Sequence, residues 1–202
     1  MNIPLKCQCG SLRGVAIDIS PSKGNRLTCM CDTCQTYAHH LGQAEKILDK
    51  YGGTDIFQMT PSELTITEGI EHLRCLQLEG RGVLRWYAGC CNTPVANTLS
   101  SAKVPFVGVP HTFMDHAGHR RTREQDLGPL LARTMGEHGI GELPSDAYSS
   151  TPLSVIFRSL YLLILAWLKG KHEPSPFFDA DTGKPIFKPE LVYKNKNDTN
   201  SF

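Results

Sequence analysis

The cysteines gather in three short runs, and the middle run, Cys29-Met30-Cys31-Asp32-Thr33-Cys34, has the spacing of a three-thiolate metal claw. A structural zinc site is closed by four protein ligands, whereas a catalytic one keeps three and offers the fourth position to water or substrate. The claw therefore reads as a metal site, with zinc ahead of iron. It is either open for chemistry or completed by a distant fourth ligand. The outer runs, Cys7-Gln8-Cys9 and the adjacent Cys90 and Cys91, can supply three or four thiolates to a second, closed site that ties the start of the chain to a segment far along it. Two zinc ions per chain are expected.

Other polar residues carry less chemistry. His39 and His40 follow the claw and could supply a fourth ligand or a general base, although solvent-facing histidines are the simpler reading. His111, Asp115 and His119 are spaced by one helical turn, with His116 among them, and would make a metal face on a helix. Gly118 and the preceding strand favour a loop instead, so no functional metal is expected there. Asp179-Ala180-Asp181-Thr182-Gly183 imitates the opening of a calcium loop, yet Lys184 stands where that loop requires glycine, and Pro185 and Pro189 break its exit. A β-turn is the better reading. Cys75, alone in a strand, reads as a small core hydrophobe.

The chain has 202 residues, enough for one core, or a core domain with an extension. Lys and Arg number 21 against 20 for Asp and Glu, so no basic field for nucleic acid exists. Met1 to Lys6 lack the charged flank and apolar run of a signal peptide. A cytoplasmic location with reduced cysteines is expected, where closely spaced cysteines are metal ligands more often than disulfide partners. The sequon-like Asn197-Asp198-Thr199 then has no meaning.

The elements that must position these cysteines are mostly short strands. Ser11 to Ile19 alternates, with Val15, Ile17 and Ile19 on one face and Ala16 and Asp18 on the other. After the claw, Gln35 to Tyr51 reads as one helix carrying Tyr37, Leu41, Ala44, Ile47 and Leu48 on its apolar face, stopped by Gly52-Gly53. Strands are expected at Asp55 to Met59, Glu63 to Thr67, His72 to Leu78, Gly82 to Tyr87 and Pro94 to Thr98, forming a mainly β, antiparallel core over residues 1–118. An α-helical extension over 119–202 follows. It holds a helix from Pro129 to His138, a second from Leu153 to Leu168 started by Thr151-Pro152, and a Lys/Asn-rich disordered tail from Tyr193. Leu153 to Leu168 is apolar nearly all round, and its uncharged part is too short to be a transmembrane segment, which takes about 20 residues. It would pack on the core, on a homodimer partner or on a membrane surface.

The order Cys-x-Cys-Gly, Cys-x-Cys-x-x-Cys and Arg-Trp-Tyr-x-x-Cys-Cys-Asn-Thr-Pro resembles the glutathione-dependent formaldehyde-activating enzyme family, which includes S-(hydroxymethyl)glutathione synthase and centromere protein V. The resemblance runs from Leu5 to Ala117. It implies a zinc-binding β-tent (Mss4-like) core of antiparallel sheets, with Cys29, Cys31 and Cys34 at an open catalytic zinc and Cys7, Cys9 and Cys91 at a structural one. The family's usual fourth structural position is Ala88 here, and the extra thiol is Cys90. Adjacent strand residues point to opposite faces, so Cys90 and Cys91 can share a metal only if the chain turns, which Gly89 would permit.

The resemblance further implies a zinc-dependent carbon-sulfur lyase that binds glutathione or a similar thiol and adds it reversibly to formaldehyde or another small aldehyde. The competing expectation is a non-catalytic zinc module for structure or interaction. An iron-sulfur electron carrier is a third.

Overall fold

The computed structural model describes residues 1–78, 82–116 and 121–193. The expected domain boundary between residues 118 and 119, together with Gly118, His119 and the tail beyond Tyr193, lies outside the described residues. In chain order the strands are Ile3–Lys6 (β1), Arg13–Ala16 (β2), Asn25–Cys29 (β3), Thr54–Met59 (β4), Leu64–Glu68 (β5), Leu73–Leu78 (β6), Val83–Ala88 (β7), Thr93–Leu99 (β8), Val107–Pro110 (β9), Ala132–Thr134 (β10) and Glu190–Val192 (β11). The helices are Asp32–His40 (α1), Ala44–Ile47 (α2), Arg123–Leu127 (α3) and Leu153–Leu168 (α4).

The fold is mainly β. One sheet has the order β1-β2-β5, and a larger one runs β10-β3-β4-β9-β8-β7-β6-β11. Every pairing is antiparallel except at the two edges of the larger sheet, where β10 joins β3 and β11 joins β6 in parallel. Ile3, Leu5, Leu12 and Leu64 from the small sheet side pack in one cluster with Phe57, Trp86, Val95, Val107 and Val109 of the large one. Each such side chain, fully withdrawn from water, contributes about 1.5–3 kcal/mol. Trp86 sits at the centre with its indole N–H donating to Thr98 Oγ1 at 3.0 Å and the Phe177 ring centroid 5.1 Å away. Residues after α4 therefore complete the core, and the helical part of the extension is small.

The five strands read from alternation and punctuation in the sequence form within a residue of their expected ends. Three other expectations need correction. Gln35 to Tyr51 is two helices: α1 starts earlier, at Asp32, and closes on Gly42, whose φ is +63°. Gly42 N–H donates to the His39 carbonyl and Gln43 N–H to the Ala38 carbonyl, the paired bonds of a Schellman stop. Pro129 to His138 is not a helix but the edge strand β10 and a 3₁₀ turn. Leu131 N–H donates to the Arg26 carbonyl and Met30 N–H to the Thr134 carbonyl, after which Met135 turns left-handed at φ +61°. Finally, Ala16 and Ile19 are buried while Ile17 is exposed, because Asp18 at φ +58° interrupts the alternation and reverses its phase.

Candidate metal centre

The claw is built where β3 runs into α1. Cys29 ends the strand, Cys31 is the extended N-cap whose carbonyl accepts from Cys34 N–H and Gln35 N–H, and Cys34 lies in the first helical turn. This strand-to-helix turn brings the three Sγ atoms within 4.8 Å of one another. Among the described residues no further Cys, His, Asp or Glu ligand atom joins that group. His39 and His40 are exposed in the last turn of α1, away from Cys31 and Cys34 at its start. Hydrogen bonds from the Cys29 and Cys34 thiols hold Cys31 well below the usual thiol range, whereas Cys29 is pushed up by its two sulfur neighbours and by burial.

Arg85 is the residue that sequence reasoning missed. It lies on β7 with only 5% of its surface exposed. Its guanidinium donates to Cys34 Sγ from both terminal nitrogens, at 3.6 and 3.7 Å, to Asn97 Oδ1 at 3.1 Å and to Thr33 Oγ1 at 3.1 Å. It also stacks over Tyr37, 5.3 Å from the ring centroid. None of those hydrogen-bond acceptors is a carboxylate. A buried cation needs an anion, and the acceptor here able to carry full charge is a sulfur of the claw. Three thiolates around a divalent ion carry one net negative charge, which one guanidinium balances. A lone charge in an otherwise apolar strand, Val83-Leu84-Arg85-Trp86, was the signal in the sequence.

The second group joins the loop after β1 to the turn after β7. Cys7, Cys9, Cys90 and Cys91 present their sulfurs within 4.8 Å of one another. Cys7 to Cys9 is 3.5 Å, Cys7 to Cys90 3.8 Å, Cys9 to Cys90 3.3 Å and Cys90 to Cys91 3.9 Å. Two sulfurs on a tetrahedral zinc, each at about 2.3 Å, stand about 3.8 Å apart, so the set fits such an ion. Each arm is a tight turn. Gly10, at φ +78°, lets its N–H reach the Cys7 carbonyl, and Leu12 N–H donates to Cys7 Sγ at 3.3 Å. On the other arm Cys91 N–H and Asn92 N–H both donate to the Ala88 carbonyl, and the left-handed residue is Asn92 at φ +55°, not Gly89. Gly89 serves another need: a Cβ there would stand 2.9 Å from Arg74 Cγ. Thr93 fastens the arms together, accepting from Gln8 N–H at 3.0 Å and lying 3.1 Å from Cys91 Sγ. The Ser11 hydroxyl and backbone hold the Cys9 thiol down to about 6, while burial pushes Cys7 up.

The remaining candidates disperse. His111 Nδ1 is 3.4 Å from the Asp55 carbonyl, Asp115 pairs with Lys6 at 2.7 Å, and His116 Nδ1 is 2.8 Å from Asp126. His119 lies outside the described residues. Asp179 caps its own turn, accepting from Thr182 N–H at 2.8 Å. Cys75 is buried, and burial pushes its thiol up to about 12. A cavity of about 350 Å³ lies under α4 rather than at the claw.

The profile of a family described as a family of unknown function (DUF6151) matches residues 1–190 of the chain. No curated protein matches it. Among solved structures, the crystal structure of a Rhodobacter sphaeroides protein, a structural-genomics target, is similar at 16% identity and a TM-score of 0.42, over 63% of this chain and 96% of that one.

Proposed function

Because the chain belongs to the family of unknown function DUF6151, whose match includes both cysteine groups, we propose a function from the chemistry of the claw: zinc-dependent binding of glutathione or a similar small thiol and its reversible addition to formaldehyde or another small aldehyde. The observation that carries this reading is a three-sulfur group with a buried guanidinium against it and no fourth ligand among the described residues. Cys29, Cys31 and Cys34 would hold the working zinc. Cys7, Cys9, Cys90 and Cys91 would hold a structural one. The order of the cysteine runs, which resembles the glutathione-dependent formaldehyde-activating enzymes, supports the same division of labour.

Zinc, when bound, supplies the positive charge that keeps an incoming thiol ionised near neutral pH, although free thiols have pKa values of about 8.5. The chain supplies the rest. Arg85 fixes Cys34 and cancels the excess negative charge of the sulfurs, which would otherwise repel a fourth thiolate. Thr33, held by Arg85 and 3.1 Å from Cys31 Sγ, orients the second ligand. In the reaction the sulfur of the bound thiol forms a bond to the aldehyde carbon, the carbonyl π pair moves to oxygen, and that oxygen takes a proton from solvent. The reverse sequence releases aldehyde and thiol.

The test is the initial rate of hydroxymethyl thioether formation from glutathione and formaldehyde, measured above a protein-free control. An excess rate that is lost in Cys31→Ala is expected. Wild-type protein that gives no excess rate, with both metals bound, would remove the proposal and leave the non-catalytic zinc module.

A further inference from the structure

A helix on a protein surface ordinarily turns its apolar stripe to the core and its charges to water. Helix α4 is arranged the other way round. Its single charged residue, Arg158, faces inward, donating from Nε to Asn25 Oδ1 at 2.7 Å and from Nη2 to the Pro21 and Gly24 carbonyls at 3.0 and 3.2 Å. Beside it Ser159 Oγ accepts from Asn25 Nδ2 at 2.9 Å. Val155 and Ala166 are the helix residues that are fully buried. These contacts fix which side of α4 faces out, and that side carries Leu153, Phe157, Leu160, Ile164, Trp167 and Leu168, each between 48% and 70% exposed.

Their spacing of three and four residues makes one continuous stripe down the helix. With about 150–250 Å² for a whole aromatic side chain and somewhat less for Leu or Ile, the stripe and its flanks expose about 800–1,000 Å² of apolar surface. That exceeds the largest patch usual on a monomer, about 300–600 Å², and equals what each partner contributes to a standard stable interface, about 800 Å².

The chemistry of the stripe selects its occupant. It holds no charge, so it offers nothing to a charged partner. A helix lying in a membrane surface uses Lys and Arg on its polar side to reach the headgroups, whereas Arg158 is tied inward and the whole chain carries a formal net charge of only +1. None of the described helices is long and apolar enough to cross a membrane. The surface that matches in length, shape and absence of charge is the same stripe on a second copy.

We propose that α4 is the homodimer interface of this protein, packing against α4 of a second chain about a twofold axis. A self-complementary helix pair crossing at its midpoint puts Leu160 and Ile164 beside the axis. The interface is independent of whether the claw is catalytic.

Sedimentation equilibrium on the full-length, metal-loaded protein at micromolar concentration tests this. The expected mass is twice the 22.4 kDa of one chain. Leu160→Glu, at an outward position, should give the single-chain mass with circular dichroism and metal content unchanged. Should that variant aggregate, Leu160→Ala combined with Ile164→Ala decides, since it buries no charge and should raise the dissociation constant at least tenfold. A wild-type monomer at tens of micromolar overturns the proposal, as does a dimer whose dissociation constant neither variant changes. Wild-type monomer that co-sediments with phosphatidylcholine and phosphatidylserine vesicles also overturns it, and makes a bilayer the occupant.

Discussion

Arg85→Met is the most informative single change at the claw, because it removes the charge while filling much of the same space. The guanidinium nitrogens stand 3.6 and 3.7 Å from Cys34 Sγ. At that separation, unit charges attract by about 4–5 kcal/mol for an effective dielectric constant of about 20. Burying the guanidinium costs several kcal/mol in the opposite sense, so the net effect is nearer the about 1.5–3 kcal/mol of a charge-assisted hydrogen bond. That range corresponds to about a 10–100-fold loss of metal affinity, the usual consequence of removing a group that supports a metal ligand. Competition with a chromophoric chelator measures it, with the Cys7, Cys9, Cys90 and Cys91 group as a reference within the same molecule. Zinc should leave the claw of Arg85→Met at lower chelator concentration while the other group is unaffected. Thermal melts add a second axis. The variant should lose stability when metal is bound and lose much less, or gain, when it is removed, since apo wild type leaves Arg85 facing sulfurs that are partly protonated. Unchanged claw affinity, or equal losses of melting temperature with and without metal, would refute the assignment of Arg85 as the counter-charge.

Two further outcomes follow from the same structure. Cys9→Ala should reduce the metal content from two ions per chain to one and lower the melting temperature sharply, because that group joins β1 to the turn after β7 and structural zinc contributes directly to folding; Cys31→Ala should also lose one ion but cost less stability, and equal destabilisation by the two would make the claw structural as well. For Asp55, burial raises the carboxyl pKa but the Arg26 and Arg123 guanidiniums, at 2.8 and 2.6 Å, outweigh it and hold the group below its ordinary range. Its stabilisation is therefore complete above the unfolded pKa of about 3.9 and disappears as pH falls through the lower folded value. Asp55→Asn should cost about 3 kcal/mol near neutrality, and the gap between variant and wild type in chemical denaturation should close only below about pH 4; a gap that does not vary with pH would show that the ion pairs are not its source.

What the sequence made legible was local. Cysteine spacing located both groups because metal ligands must lie close together, and the strands from Thr54 to Leu99 could be read because alternation and turn residues act within a few positions. The rest depended on distant partners. Ala132 to Thr134 has a helix-compatible composition and becomes a strand only because Leu27 to Cys29 offers an open parallel edge. Arg85 belongs to the claw through a side chain crossing from β7 to α1, a separation of 51 residues that no local pattern records. In the same way α4 was recognisable as apolar, but which face it turned outward was decided by Asn25 and the Pro21 and Gly24 carbonyls binding Arg158. The interruption at Asp18 was hidden because a left-handed residue in a strand changes the phase without changing the composition.

Cobalt spectroscopy of the claw tests the central claim most directly. Cobalt(II) loaded into Cys29, Cys31 and Cys34 of zinc-reconstituted protein reports its ligands through visible ligand-field and sulfur-to-metal charge-transfer bands, and a soft thiolate is the ligand such a site prefers. Addition of glutathione should intensify the charge-transfer band and shift the ligand-field bands toward those of four-sulfur coordination, saturably, and the change should be absent in Cys31→Ala. A spectrum that already shows four sulfurs or a fourth protein ligand before thiol is added, and that glutathione leaves unchanged, would contradict the open claw.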